Sequence, residues 1–152
     1  MPKKESKLVF DYNNNIIPPA PFLEVSFLTP IPLNVKNSIV SHAIIDSGAS
    51  ISVIPKSIVV KLELKYIDVI ETRGFRSSDF EDNNKNKGEE QKSYVYPIVI
   101  TIESLGNFIT KVITWDEEYS LIGRDLLNKW LVLLNGPDKK LEISLFKSKF
   151  FL

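Results

Sequence analysis

The feature that most constrains this chain is the tetrapeptide Asp-Ser-Gly-Ala at residues 46–49, which lies between apolar runs at residues 43–45 and 51–55. Asp, Ser and Gly are common turn residues, so the tetrapeptide alone is typical of an ordinary polar turn. Apolar runs on both sides, however, indicate strands that are buried on both faces, and they predict a turn tucked inside the fold. A carboxylate held there must be hydrogen-bonded or paired, which makes Asp46 a candidate functional group.

A second motif, Ser-Leu-Ile-Gly-Arg-Asp-Leu-Leu, occupies residues 120–127. Its apolar residues predict a buried strand that ends at Gly123, where the absence of a side chain allows the backbone to cross closely under another segment. Apolar residues at helical spacing after the glycine predict a short helix from Arg124 to about Leu131. A strand-to-helix junction of this kind is common to many folds, so the second motif indicates a function only together with the first.

The two motifs, in this order and with a polar segment between them, resemble those of the retropepsin-like aspartic proteases, the single-lobe branch of the pepsin clan. The resemblance extends over roughly residues 22–143. It implies a mainly β fold, namely a closed β-barrel with one short C-terminal helix. It also implies that a hairpin around residues 72–94 forms a flap over the cleft.

The same resemblance implies an aspartic endopeptidase that hydrolyses peptide or protein substrates. The chain carries one Asp-Ser-Gly motif, whereas the chemistry needs two carboxylates, so a homodimer is expected in which each subunit supplies a catalytic Asp46. Ser47 and Gly48 are expected to support the active site. The expected substrate-binding residues are Gly48, Ala49, Gly74 and Phe75.

Two positions depart from the family pattern. Viral members usually carry an acidic residue after the Gly-Ala pair, which pairs with the arginine of the second motif. Ser50 occupies that place here, so Arg124 needs another partner, for which a carboxylate in this or the other subunit is one candidate. In place of a short glycine-rich flap tip, Gly74 is followed by a long polar segment at 76–92, predicted to be mobile. Asp125 is interpreted as a surface or helix-start residue and not as a second catalytic acid.

Composition narrows the alternatives. A chain of 152 residues predicts one domain, taken as residues 22–152 after a flexible lead-in at 1–21. Lys+Arg and Asp+Glu are 19 each, so no net charge favours nucleic acid or an anionic membrane. The absence of cysteine excludes thiol catalysis, and the single histidine, His42, is interpreted as structural, so no metal or cofactor is expected. No stretch has the length of a signal peptide or a membrane span, which predicts a cytoplasmic protein.

Alternating and apolar patterns predict strands at several places, and the segment at 56–62 is expected to be helical or a turn. The predicted strands are 22–28, 35–45, 65–72, 94–103, 108–115, 132–134 and 141–146. Two other interpretations of the function remain open. The first is a catalytically silent dimerisation or peptide-binding module, which would keep the same fold and groove without cleavage. The second is a processing domain excised from a larger polyprotein, which would have the same chemistry but a different biological origin.

Overall fold

A computed structural model describes residues 7–30, 37–73 and 91–145 of the chain. Within these ranges the fold is mainly β, with two short helices. In chain order the elements are β1 (Lys7–Asp11), β2 (Phe22–Leu28), β3 (Ile39–Ile45), β4 (Ser52–Pro55), α1 (Lys56–Lys61), β5 (Asp68–Thr72), β6 (Gln91–Ile102), β7 (Gly106–Trp115), β8 (Ser120–Ile122), α2 (Arg124–Leu127), β9 (Trp130–Asn135) and β10 (Lys140–Leu145).

Six strands close into a barrel in the order β2-β3-β8-β4-β7-β6, and β6 returns to pair with β2. Most neighbours are antiparallel, but β3 lies parallel to β8 and β4 lies parallel to β7. Alternating apolar side chains point into the barrel, among them the fully buried Phe27, Ile54, Ile98 and Ile100. This architecture confirms the predicted mainly β closed barrel.

A second sheet of three strands, in the order β1-β10-β9, packs against the same core. Strand β1 differs from the loose lead-in predicted for residues 1–21. Leu8 and Phe10 alternate along it and pack against the main cluster of buried side chains, which includes Leu141 and Ile143 of β10. This alternation orders the segment, because it places one face of β1 on the core while the other faces solvent.

The helices are short, as expected. Helix α1 occupies the segment predicted to be helical or a turn, whereas α2 ends at Leu127 and not near Leu131 as predicted. Trp130 belongs instead to β9, where it pairs with Leu145, so the strand pairing with β10 overrides the helical spacing. In the part of the chain that the structure describes, no helix is long and apolar enough to cross a bilayer.

Strand β6 has two roles along its length. Residues 96–102 pair with β7 as part of the barrel wall, and residues 91–95 pair with β5. Strands β5 and β6 therefore form the two arms of the hairpin that the sequence predicts around residues 72–94. The predicted polar segment at 76–92 lies mostly outside the described residues, except that Gln91 and Lys92 are already part of β6.

Two isoleucines on neighbouring barrel strands allow a matched test of this core. Ile100 is fully buried, whereas Ile109 on β7 is 73% exposed. We expect Ile100→Ala to lower the free energy of unfolding by about 2–5 kcal/mol, because it removes buried methyl groups and leaves a cavity. Ile109→Ala should cost no more than about 1 kcal/mol, which is the span of strand propensity. Urea unfolding followed by tryptophan fluorescence measures both, and equal losses would contradict this assignment of the core.

Candidate active site

Asp46 follows directly after β3, beside the end of β8. Because these strands are parallel, the turn after β3 and the start of α2 after β8 lie at the same end of the barrel. The backbone N–H of Asp46 donates to the carbonyl oxygen of Ile122 at 3.0 Å, and the N–H of Arg124 donates to the carbonyl of Ala49 at 2.9 Å. The two sequence motifs are thus joined through their backbones, as buried neighbours rather than as separate turns.

The Asp46 side chain is half-buried, and its orientation is fixed by its own turn. The backbone N–H of Gly48 donates to Asp46 Oδ1 at 2.8 Å, and the N–H of Ala49 donates to the Asp46 carbonyl at 3.2 Å. Ser47 and Gly48 are exposed at the outer edge of the turn. The Gly48 N–H therefore fixes one carboxylate oxygen, and Oδ2 receives no hydrogen bond from this turn.

Gly123 crosses under the Asp46 turn at very short range. A Cβ atom at this position would lie 2.8 Å from the carbonyl carbon of Ile51 and 2.9 Å from the carbonyl oxygen of Ala49. Both are backbone atoms, which cannot move aside as a flexible side chain can. The position thus requires a glycine for reasons of space, as the sequence predicts.

A buried hydroxyl links the two motifs a second time. Ser52, fully buried on β4, accepts a hydrogen bond from the Gly123 N–H at 3.0 Å and donates to Asp125 Oδ1 at 2.8 Å. Thr110 on β7 donates to the other oxygen, Asp125 Oδ2, at 2.9 Å. The half-buried carboxylate of Asp125 therefore holds β4, β7 and α2 together. Asp125 lies in the first turn of α2, in agreement with the helix-start interpretation.

Arg124 finds its partners in the backbone of the turn and not in a carboxylate. Its Nη1 donates to the carbonyl oxygen of Ser47 at 2.9 Å, with a longer contact of 3.4 Å to that of Gly48. Ser50, which stands where the resemblance leads one to expect an acid, is exposed. The arginine thus still holds the turn, but through peptide oxygens, which carry partial negative charge.

An open groove of about 550 Å³ lies above Asp46. Gly48 and Ala49 lie on its floor, and residues 70–73 of the β5 arm form a wall. Its other apolar lining residues are Ile51, Val53, Ile113, Trp115 and Leu121. Ile122, the last residue of β8, is fully buried in the core and does not line the groove. The predicted substrate contacts Gly74 and Phe75 lie outside the described residues.

Among residues 7–30, 37–73 and 91–145, no three His, Cys, Asp or Glu side chains lie close enough together to hold a metal ion. His42 is exposed and stacks on Phe22, with 4.7 Å between the ring centroids. The groove itself is lined by the carboxylates of Asp46 and Glu71, by Arg73 and by apolar walls.

Comparison with solved structures identifies the architecture. A retropepsin-like aspartic protease from Rickettsia conorii aligns over 93% of this chain and 92% of its own, with 18% identity and a TM-score of 0.59. The chain has a retropepsin-like fold. No protein-family model matches the chain, and no curated protein does either.

Two more distant structures with a retropepsin-like fold also align. EIAV protease in complex with the inhibitor HBY-793 aligns over 72% of this chain and 86% of its own, with 17% identity and a TM-score of 0.44. The retroviral protease-like domain of Ddi1 from Leishmania major aligns over 86% and 98%, with 14% identity and a TM-score of 0.44. At these identities the similarity concerns the fold.

Within the retropepsin-like fold, the first motif places Asp46, Gly48 and Ala49 along one groove. Sequence reasoning missed the buried link through Ser52, Asp125 and Thr110, and it missed Trp115 as a lining residue. One signal was available for the link, since Ser52 is a lone hydroxyl within an apolar run and therefore needs a buried partner. Nothing in the sequence identifies that partner.

Two glycines allow the close crossing to be tested. We expect Gly123→Ala to lower the free energy of unfolding by about 1–3 kcal/mol or more, because the added methyl overlaps backbone atoms. Gly136→Ala is the control, since a Cβ there would meet nothing within 4 Å, and its effect should stay within about 0.5 kcal/mol. Urea denaturation measures both variants. A Gly123→Ala protein as stable as the control would show that the two motifs are not tightly apposed.

Proposed function

We propose that this protein is an aspartic endopeptidase that acts as a homodimer, with one Asp46 carboxylate from each subunit. The observation that carries the proposal is the position of Asp46, on the floor of a groove walled by a hairpin arm and oriented by the Gly48 N–H. The retropepsin-like fold supports it, because the chain carries a single Asp46 turn and this chemistry requires two carboxylates. The substrate is a peptide or protein segment.

The reaction needs no covalent intermediate. Two carboxylates a few ångströms apart cannot both be ionised at low cost, so the pair shares one proton. The ionised Asp46 takes a proton from a water molecule, which attacks the scissile carbonyl carbon, while the protonated Asp46 of the other subunit donates to the developing oxyanion. The Asp46 that took the water proton then gives it to the leaving nitrogen as the C–N bond breaks, and the hydroxyl formed from the oxyanion returns its proton to the other Asp46, which restores the pair.

The turn supplies the supporting groups for this step. The Gly48 N–H keeps the Asp46 carboxylate in one orientation, so little reorganisation is needed when charge develops. The exposed Ser47 hydroxyl is proposed to hydrogen-bond across the dimer and lock the two turns together. Arg124 stiffens the same turn through the carbonyl oxygen of Ser47. Small residues at 48 and 49 leave space for the peptide.

The substrate is proposed to lie as an extended strand between the groove floor and the β5 arm. Extended peptides bind through backbone hydrogen bonds, with alternate side chains directed into pockets. The apolar lining, including Ile51, Val53 and Leu121, would receive such side chains. Gly74 and Phe75, which follow β5 closely in the sequence, remain proposed substrate contacts.

Replacement of the proposed catalytic group gives the first test. We expect Asp46→Asn to lower peptide cleavage by roughly a thousandfold or more, because an amide cannot act as the general base. Stability and dimer content should be nearly unchanged, since the amide oxygen can still accept the Gly48 N–H. Cleavage of a proteome-derived peptide library, read by mass spectrometry, measures the loss.

Asp138→Asn, in the exposed β9–β10 turn, is the control and should retain activity. Full activity in Asp46→Asn would remove Asp46 from the mechanism, whereas no cleavage by the wild type would favour the catalytically silent module.

Mixing wild-type and Asp46→Asn chains tests whether two subunits share the site. A mixed dimer holds one carboxylate, so after exchange at equal concentrations the activity per wild-type chain should fall to about half. Dilution of the wild type below its dimer dissociation constant should also lower specific activity, with the mass of the species followed by light scattering. An active monomer, or activity that is unaffected by the inactive chain, would refute the shared pair.

A further inference from the structure

A second cavity, of about 350 Å³, lies beside the groove. Its walls are mostly apolar and aromatic, and its polar groups come from two loops and from β3. The lining residues are Asn13, Ile16, Phe22, His42, Ile44, Glu118 and Tyr119. The sequence predicts no binding role for these residues, which come from distant parts of the chain.

Strand pairing places the lining of this cavity next to that of the groove. His42, Ile44 and Asp46 alternate along one side of β3 and its end, so their side chains project in the same direction. Ile44, which lines the second cavity, lies directly opposite Leu121, which lines the groove. At about 3.3 Å per residue, the Cα atoms of Ile44 and His42 lie roughly 7 and 13 Å from that of Asp46.

An aromatic pair marks the boundary between the two spaces. Trp115 lines the groove and Tyr119 lines the second cavity, and their rings meet edge to face with 4.9 Å between centroids. The Trp115 Nε1–H also donates to the carbonyl oxygen of Tyr119 at 2.7 Å, which fixes the loop between them. The contact between these two residues therefore joins the lining of the groove to the lining of the second cavity.

The cavity suits a long cationic side chain. Of the described residues that line it, Glu118 alone carries a carboxylate, and within the described part of the chain no cation pairs with it. Ile16 and Ile44 offer apolar surface for an aliphatic stem, while the rings of Phe22 and Tyr119 offer faces that attract a cation. Lysine and arginine combine such a stem with a charged end.

We propose that this cavity is a distal subsite that accepts a lysine or arginine side chain of the bound peptide, and that Glu118 selects it. The proposal rests on the proposed function, since it takes the peptide to lie in the Asp46 groove. The distances place the basic residue about two to four positions from the scissile bond of an extended peptide. In a symmetric dimer the same subsite occurs on both sides of that bond.

The test uses peptides centred on a statine unit, which fixes their register at Asp46 without requiring a known substrate. At each of the second to fourth positions from the centre, lysine is compared with norleucine, which has a similar stem without the charge, and with glutamate. Binding is measured by fluorescence anisotropy at about pH 7.5, where carboxylates are ionised and an imidazole is ordinarily neutral. At one of these positions we expect lysine to bind roughly three- to tenfold tighter than norleucine, and glutamate to bind more weakly than either.

Two neighbouring glutamates provide matched variants. Glu118→Gln should abolish the preference for lysine, and Glu118→Lys should reverse it in favour of glutamate. Glu117→Gln removes the same charge from an adjacent exposed residue that does not line the cavity, and it should keep the preference. Equal affinity of lysine and norleucine peptides for the wild type, or the same loss in both Gln variants, would overturn the subsite.

The cleavage assay separates this result from the proposed function. Cleavage of library peptides without any preference for basic residues at these positions would overturn the subsite and keep the protease. A lysine preference in binding that depends on Glu118, without cleavage of any library peptide, would keep the subsite and overturn the protease.

Discussion

The close passage of Gly123 beneath the Asp46 turn is the constraint on which the site depends. At this point two backbone segments approach so closely that no Cβ atom fits between them. Backbone hydrogen bonds then join the segments on either side, from Asp46 to Ile122 and from Arg124 to Ala49. Because the partners are main-chain atoms, the barrel backbone sets the position from which the Asp46 carboxylate projects.

The buried link through Ser52 and Asp125 strengthens the same junction. The half-buried carboxylate of Asp125 accepts hydrogen bonds from two hydroxyl groups. These bonds compensate for the hydrogen bonds to water that the carboxylate loses on burial. Since it connects β4, β7 and the start of α2, it holds the groove floor to the barrel wall. Arg124 adds the outer contact by donating to the Ser47 carbonyl. The Asp46 turn is therefore secured from below and from the side, while Ser47 and Gly48 remain exposed.

The sequence predicted those parts of the fold that depend on neighbouring residues, such as the bounds of a strand or the need for a glycine. The bounds of β2 agree with the predicted 22–28, and the close crossing at Gly123 agrees with the prediction drawn from a buried strand that ends in glycine just before a helix. The end of α2 was wrong because the pairing of Trp130 with Leu145 is a long-range contact that helical spacing does not register. The same reason explains β1, whose partner β10 lies at the other end of the described chain. For the site, Asp46 and Gly48 could be placed from one motif, whereas the partners of Ser52 and Arg124 emerge only when distant strands meet.

Strand β6 has a mechanical consequence. It runs without interruption from the barrel wall into the hairpin arm, and β5 pairs only with that arm in the described structure. Displacement of the arm must therefore bend or twist a strand whose other half is clamped between β7 and β2. The elastic stiffness of the barrel thus limits how far this wall of the groove can move, so that the width of the groove and the rigidity of the barrel are coupled.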